Sequence, residues 1–310
     1  KIYTLFLEYL KHDDFVGADM ARKYLQMGYT RSRRYTNFKG GLKYDKNNDY
    51  ELLKSGTGDL QKAICANIFY IKWQSAEKNA KYTKLKQECY EANMQLNALK
   101  LVVYTFGNVS AVDRESGVFA IKPSGVAYEE LRYEDIVIVD FDNNIIEGTM
   151  RPSSDTKTHA YLYKNWPNIG GVAHTHATYS VAWAQAQKDI PIFGTTHADH
   201  LTKDIPCAPP MEDTLIEGNY EHNTGIQILD CFKEKQLSYE EVEMVLIGNH
   251  GPFAWGKTAA KAVYNSKVLE VIAEMAHFTL QINPNAPRLK DSLIKKHYER
   301  KHGKDSYYGQ

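Results

Sequence analysis

Ile169-Gly170-Gly171-Val172-Ala173-His174-Thr175-His176 is a short β-rich run that ends on two imidazoles. In an extended chain residues i and i+2 point to the same side, so His174 and His176 can reach one ion. A second β-rich run, Met244-Val245-Leu246-Ile247-Gly248, leads through Asn249 to His250 and then to Gly251-Pro252, a turn pair. Two adjacent strands ending at one sheet edge would bring His250 beside the first pair. Three neutral imidazoles with an open position form a known arrangement for catalytic zinc. Asp155, in Pro152-Ser153-Ser154-Asp155, is available as a fourth ligand. Spacing alone does not decide the matter. His159, His197, His200, His222 and His277 show that histidine is common in this chain, and such side chains are mostly surface or hydrogen-bonded groups.

Residues 118–122 and 136–140 are further β-rich runs separated by turn residues. Apolar residues at helical spacing predict helices over 85–99, 158–165, 179–187, 224–235 and 258–280, with Thr224 and Thr258 as N-caps. Strands interleaved with helices on one sheet give an α/β or α+β layered domain, and the pattern leaves that choice open. Residues 1–80 have another texture. Residues 2–27 are expected to be helical with a break near Asp13 and Asp14, and Gly28 to be a stop. A basic turn carrying Arg31, Arg33 and Arg34 is expected next, then a loop at Asn47, Asn48 and Asp49. Asp59 is a candidate cap for a helix over 60–74 with Leu60, Ile64, Ile68 and Ile71 on one face. The polar stretch 74–81 is the expected boundary, giving a small, mainly helical segment, 1–80, and a larger domain, 81–310.

Composition excludes several classes. Lys plus Arg equals Asp plus Glu, 38 each, so the global charge predicts no polyanionic partner. The balance is uneven: residues 1–80 carry 14 basic and 9 acidic side chains, and the rest carry 24 and 29. That asymmetry points to two units of different origin. The arginine cluster near Tyr29, Tyr35 and Phe38 reads as a solvated basic loop rather than a nucleic-acid surface. Hydrophobic content of 43% over 310 residues suffices for a core without staples. The four scattered cysteines, Cys65, Cys89, Cys207 and Cys231, form no C-x-x-C pair and are expected to be reduced thiols in a cytoplasm. No apolar run approaches the ~20 residues that span a bilayer. Lys1-Ile2-Tyr3 shows neither an initiator Met nor a signal-peptide pattern, so the start is expected to be truncated or processed.

Seven ordered segments carry a resemblance. They are Gly107-Asn108-Val109-Ser110, Ile121-Lys122-Pro123-Ser124-Gly125-Val126, Arg151-Pro152-Ser153-Ser154-Asp155-Thr156 and Gly171-Val172-Ala173-His174-Thr175-His176. Gly194-Thr195-Thr196-His197-Ala198-Asp199, Gly248-Asn249-His250-Gly251-Pro252-Phe253-Ala254-Trp255-Gly256 and the tail from Lys301 to Tyr307-Tyr308-Gly309-Gln310 follow. Together, over about residues 82–310, they resemble the L-ribulose-5-phosphate 4-epimerase family of the class II aldolase/epimerase superfamily. The fold this implies is a central, mainly antiparallel β-sheet flanked by helices. Residues 1–80 resemble part of an uncharacterised bacterial domain family, which carries no activity over.

The resemblance implies one divalent metal per subunit, usually zinc, held by His174, His176 and His250, with Asp155 at the family's carboxylate position. It implies that Gly107, Asn108, Ser124, Gly125, Ser153 and Ser154 bind the sugar phosphate, chiefly its phosphate. Small residues expose backbone N–H groups and hydroxyls donate to phosphate oxygens; Lys122 would add a charge. The acid/base pair falls on Asp199 and Tyr308, and the terminal tyrosine serves a neighbouring subunit, which implies a homotetramer. Glu221, His297 and Arg300 also match family positions near the site. The implied activity is inversion at C4 of L-ribulose 5-phosphate. Sister aldolases of the L-fuculose-phosphate type share the three histidines, carry a Glu where this chain has Asp155, and release their fragments. A metal-binding module without turnover would instead need a site closed to water.

Overall fold

Residues 1–12, 14–45, 50–59, 61–304 and 306–307 are described by the computed structural model, with Phe15, Ala80 and Lys81 described in backbone only. The chain divides into two units, Lys1–Lys84 and Leu85–Gln310. In the first, α1 (Ile2–Lys11) packs on α2 (Phe15–Asn37), and the Asp14 carboxylate caps α2 by accepting the Gly17 N–H at 2.8 Å. Two-residue strands β1 (Tyr44–Asp45) and β2 (Glu51–Leu52) pair antiparallel. Helix α3 (Gln61–Ala98) follows Asp59, whose carboxylate accepts the Gln61 N–H at 2.8 Å, as expected of a cap. Phe6, Ala18, Ala21, Leu25 and Ala76 form this unit's core, with Phe69 and Trp73 packed against them.

Three expectations for this unit are corrected. Helix α2 runs through Gly28 to Asn37, so Arg31, Arg33 and Arg34 lie on a helix and not in a turn. A Cβ on Gly28 would sit 2.4 Å from the Phe69 ring, so the glycine serves close helix approach and not helix ending. The helices expected over 60–74 and 85–99 are one continuous α3, and polar residues 74–81 lie inside it. Ile64, Ile68 and Ile71 are 66%, 56% and 52% exposed, because the competing stripe of Ala66, Phe69, Trp73 and Ala76 fits the groove at Gly28. The expected loop at Asn47, Asn48 and Asp49, and Leu60, lie outside the described residues.

The second unit is built on one eight-stranded sheet. In chain order its elements are β3 (Asn108–Asp113), β4 (Val118–Ile121), β5 (Val137–Asp140), β6 (Ile145–Glu147), α4 (Thr156–Asn165), β7 (Gly171–His174), α5 (Thr178–Gln185) and α6 (Thr195–Ala198). There follow β8 (Cys207–Ala208), α7 (Asp213–Ile216), α8 (Tyr220–Glu234), β9 (Met244–Ile247), β10 (Pro252–Gly256), α9 (Ala259–Ile282) and α10 (Asp291–His302). The order across the sheet is β6-β5-β4-β3-β7-β10-β9-β8, antiparallel throughout except for the β8–β9 edge. A central, mainly antiparallel sheet flanked by helices is therefore what the chain adopts.

Alternation along each strand sorts the two faces. Val172, Phe253, Trp255, Ile121 and Val137 meet Leu162 and Tyr163 of α4 and Ile228 and Phe232 of α8. Ala254, Met244 and Leu246 point the other way, against Trp183 and Ala184 of α5 and Leu269, Ile272 and Ala273 of α9. Thr258 caps α9 as expected, its hydroxyl oxygen accepting the Lys261 N–H at 3.1 Å. Thr224 does not cap α8. That helix starts four residues earlier, and the Thr224 hydroxyl bonds back to the Tyr220 carbonyl at 3.0 Å. Among the described residues no helix is long and apolar enough to cross a membrane.

Candidate active site

Strand period and sheet order together place the histidines. Val172 is buried on the α4/α8 face, so His174, two residues on, ends β7 on that same face. Strand β9 does not adjoin β7, as the sequence had suggested; β10 lies between them. Because β10 runs antiparallel to β7, its start lies beside the end of β7, with Phe253 opposite His174. The β9–β10 turn therefore carries His250 to the strand end that bears His174. One ligand atom each from His174, His176 and His250 lies within 4.8 Å of the other two.

The chemistry of these rings suits a cation. The His174 Nδ1–H donates to the Pro252 carbonyl at 2.9 Å, which leaves the Nε2 lone pair facing inward. Its Nε2 is 3.0 Å from that of His176, a spacing that a shared proton or a shared cation satisfies. Phe253 stacks on His174 with centroids 4.3 Å apart. Burial pushes His174 down to about 3 and His250 down to about 4 and lowers His176 too, so all three rings are neutral and ready to coordinate near pH 7. Asp155 lines the same cavity; its Oδ2 accepts from the Asn108 side-chain amide at 2.6 Å.

A cavity of about 370 Å³ opens over this cluster. Its other wall is formed by Gly107, Asn108, Ser124, Gly125, Ser153 and Ser154, all of which the sequence had singled out. Two loops are lashed together there: Ser124 N–H donates to the Arg151 carbonyl at 2.9 Å and Ser153 N–H to the Lys122 carbonyl at 3.0 Å. Gly107 has φ +71°, and a Cβ there would lie 2.7 Å from the His174 carbonyl oxygen, so only glycine lets this loop reach the end of β7. The first turn of α4 follows Ser153-Ser154-Asp155, and no side chain caps it, so its N–H groups and dipole favour an anion in this corner. Lys122 is 1% exposed, faces the Pro123 and Val126 carbonyls, and is pushed down to about 8 by burial.

Asp199 lies elsewhere. It ends α6 and is not among the residues lining this cavity. Its carboxylate accepts from the Arg300 guanidinium at 3.0 Å through both oxygens and from His297 Nδ1 at 2.9 Å, while His302 Nε2 bonds its carbonyl at 3.0 Å. Partial burial pulls its pKa upward, but the hydrogen bonds from His297 and Arg300 and the nearby charges prevail and hold it below the usual value. Asp199 and α10 thus form one braced cluster. Tyr308 lies outside the described residues. Sequence reasoning missed Tyr220, whose hydroxyl is 3.3 Å from His250 Nδ1, and Phe106, whose ring centroid is 6.1 Å from that of His176. The signal for Tyr220 was available: it precedes Glu221, which also lines the cavity, but the helix start had been placed too late.

Two further buried histidines have a measurable consequence. Burial pushes His159 down to about 3 and His197 down to about 4, from 6.5. As pH falls below about 6.5 the unfolded chain takes up protons at both sites while the folded chain does not, so stability is lost with falling pH. Each group costs about 1.4 kcal/mol per pH unit in that window. Thermal unfolding of metal-stripped protein is therefore expected to show a lower Tm at about pH 5 than at about pH 7. A flat Tm across that span would contradict the burial of these two rings.

Residues 87–277 match the family described as Class II Aldolase and Adducin N-terminal domain, and residues 1–92 match a domain of unknown function, DUF4385. An L-ribulose-5-phosphate 4-epimerase UlaF from Salmonella paratyphi A is 49% identical over 227 residues, covering 73% of this chain and 99% of that protein. Its counterpart from Salmonella typhi aligns with the same identity and coverage. A solved L-fuculose 1-phosphate aldolase superposes with a TM-score of 0.58 at 25% identity, over 70% of this chain and 95% of that one. The sheet, the three converging histidines and the extent of these matches have one reading: the chain belongs to the class II aldolase family.

Proposed function

We propose that this chain converts L-ribulose 5-phosphate to D-xylulose 5-phosphate by inverting C4. The observation that supports this most is the placement of three neutral imidazoles opposite a wall of glycine, serine and helix N-terminal N–H groups, within one cavity. A ketose phosphate has two ends to be held, and the cavity offers one kind of donor set for each. The C4 hydrogen is not next to the C2 ketone, so its direct removal gives no stabilised carbanion. The C4 hydroxyl is β to that ketone. Loss of its proton lets the C3–C4 bond break, giving the enediolate of dihydroxyacetone and glycolaldehyde phosphate. Re-addition to the other face of the aldehyde, with return of the proton, inverts C4.

A divalent cation, zinc or a similar ion, one per subunit, held by His174, His176 and His250 with Asp155 beside them, would supply Lewis-acid stabilisation of the enediolate charge. Ser124, Gly125, Ser153 and Ser154 hold the phosphate, so that the aldehyde fragment turns without leaving. Gly107 and Asn108 close the cavity between the phosphate wall and the ligands, and Asn108 also orients Asp155. Tyr308 exchanges the proton with the C4 oxygen on the L-ribulose face and Asp199 on the D-xylulose face. Asp199 is tied to α10, the helix that leads into the C-terminal segment, and lies away from its own chain's cavity. Tyr308 serves the cavity of a neighbouring subunit in a homotetramer.

The test is the product formed from L-ribulose 5-phosphate by metal-loaded protein. D-xylulose 5-phosphate is expected, without accumulation of free aldehyde. Net release of glycolaldehyde phosphate would make the chain an aldolase of the L-fuculose-phosphate type instead. Absence of any conversion, with the metal tightly held and its removal unfolding the protein, would make it a structural metal module.

A further inference from the structure

Two of the three imidazoles are braced through their second ring nitrogen. His174 Nδ1 donates to the Pro252 carbonyl at 2.9 Å, and His250 Nδ1 lies 3.3 Å from the Tyr220 hydroxyl. Among the described residues His176 has no such brace; its polar ring contact is the Nε2 of His174. Apart from ring contacts such as that with Phe106, its aim then depends on its backbone. That backbone leaves β7 at His174 and enters α5 at Thr178, with Ala177 at the N-cap, a residue with no side chain to satisfy the helix's first N–H groups.

Glu270, reaching across from α9, satisfies them instead. One carboxylate oxygen accepts the Tyr179 N–H at 2.9 Å. The other accepts the Ser180 N–H at 2.9 Å and the Ser180 hydroxyl at 2.6 Å. Glu270 is 9% exposed, so these donors have little water to fall back on. The clamp grips the chain three and four residues beyond His176, on a turn that has no other side-chain cap. We propose that Glu270 is a positioning residue for the metal centre: by fixing the first turn of α5 it aims the otherwise unbraced His176. This rests on the reading of His174, His176 and His250 as metal ligands.

A plain helix cap would affect stability alone, so the test separates stability from coordination. Co²⁺ is titrated into metal-stripped protein and followed by its visible absorption, with thermal unfolding of the same samples. Glu270→Gln presents an amide NH₂ to N–H donors and is expected to weaken Co²⁺ binding about 10–100-fold and to shift the absorption band. Thr258→Ala, which removes the N-cap of α9, is expected to lower Tm without changing Co²⁺ affinity. Ser180→Ala, which leaves both backbone hydrogen bonds in place, is expected to fold and to show a smaller loss of affinity; it decides the matter should Glu270→Gln not fold. A folded Glu270→Gln or Ser180→Ala protein that binds Co²⁺ as tightly as the wild type overturns the proposal. Wild-type protein that binds no Co²⁺ overturns the metal reading itself, and the proposal with it.

Discussion

Replacing His250 with alanine is expected to lower turnover about a thousandfold or more and to strip the cation, while the protein stays folded. The magnitude follows from the several kcal/mol that Lewis-acid stabilisation contributes and from the tenfold in rate carried by each 1.4 kcal/mol or so. His250 is the informative choice among the three. His174 is stacked on Phe253 and bonded to Pro252, so its removal opens a hole at the edge of the core and confounds ligand loss with a stability loss of about 2–4 kcal/mol. His250 sits in the β9–β10 turn, half-buried, and its one side-chain hydrogen-bond partner among the described residues is the Tyr220 hydroxyl, so its removal disturbs the core less. Bound metal after dialysis, turnover with zinc restored, and Tm are the three measurements. A His250→Ala protein with full metal and full turnover would remove the imidazole cluster from the mechanism.

The histidine cluster was legible in the sequence because period-two alternation and a histidine at the end of a β-rich run are local signals. The strand that joins its two halves was not. β10 opens with Pro252, directly after Gly251, and that pair looks like a turn; only the sheet order shows that it begins a central strand bearing Phe253 and Trp255. β3 was hidden for a related reason: it starts at Asn108, inside a motif that reads as a binding loop, and its central residues are buried on both faces, so that no alternation shows. In the first unit two apolar stripes compete on α3, and composition favours the isoleucine one. The aromatic and alanine stripe is buried because Gly28 leaves room for Phe69, a pairing between distant positions that no single window contains. Asp199 is the same kind of case: its partners His297 and Arg300 lie 98 and 101 residues further along.

Subunit complementation is the decisive experiment on the proposed acid/base pair. Tyr308→Phe is expected to keep its metal and to lose turnover about 10²–10⁴-fold, the usual range for removing a positioned proton donor. His250→Ala fails for a different reason, in the cavity itself. If the tyrosine serves a neighbour, the two inactive proteins carry complementary defects: one brings an intact cavity, the other an intact terminal residue. Dissociating and reassembling them at equal amounts should then restore up to about a quarter of the wild-type activity, since in a closed ring with heterologous interfaces each site draws its cavity and its tyrosine independently. A cis arrangement places both groups in one chain, and no combination of these two parents contains an intact site. Mixed assemblies verified by native mass, yet as inactive as either parent, would therefore return Tyr308 to its own subunit or dismiss it. The same mixing with Asp199→Asn asks whether Asp199, bound to the helix that precedes Tyr308, travels with it to the neighbour's cavity. Recovery with His250→Ala in both cases, and none when Asp199→Asn is mixed with Tyr308→Phe, is the pattern expected of one braced cluster presented as a unit.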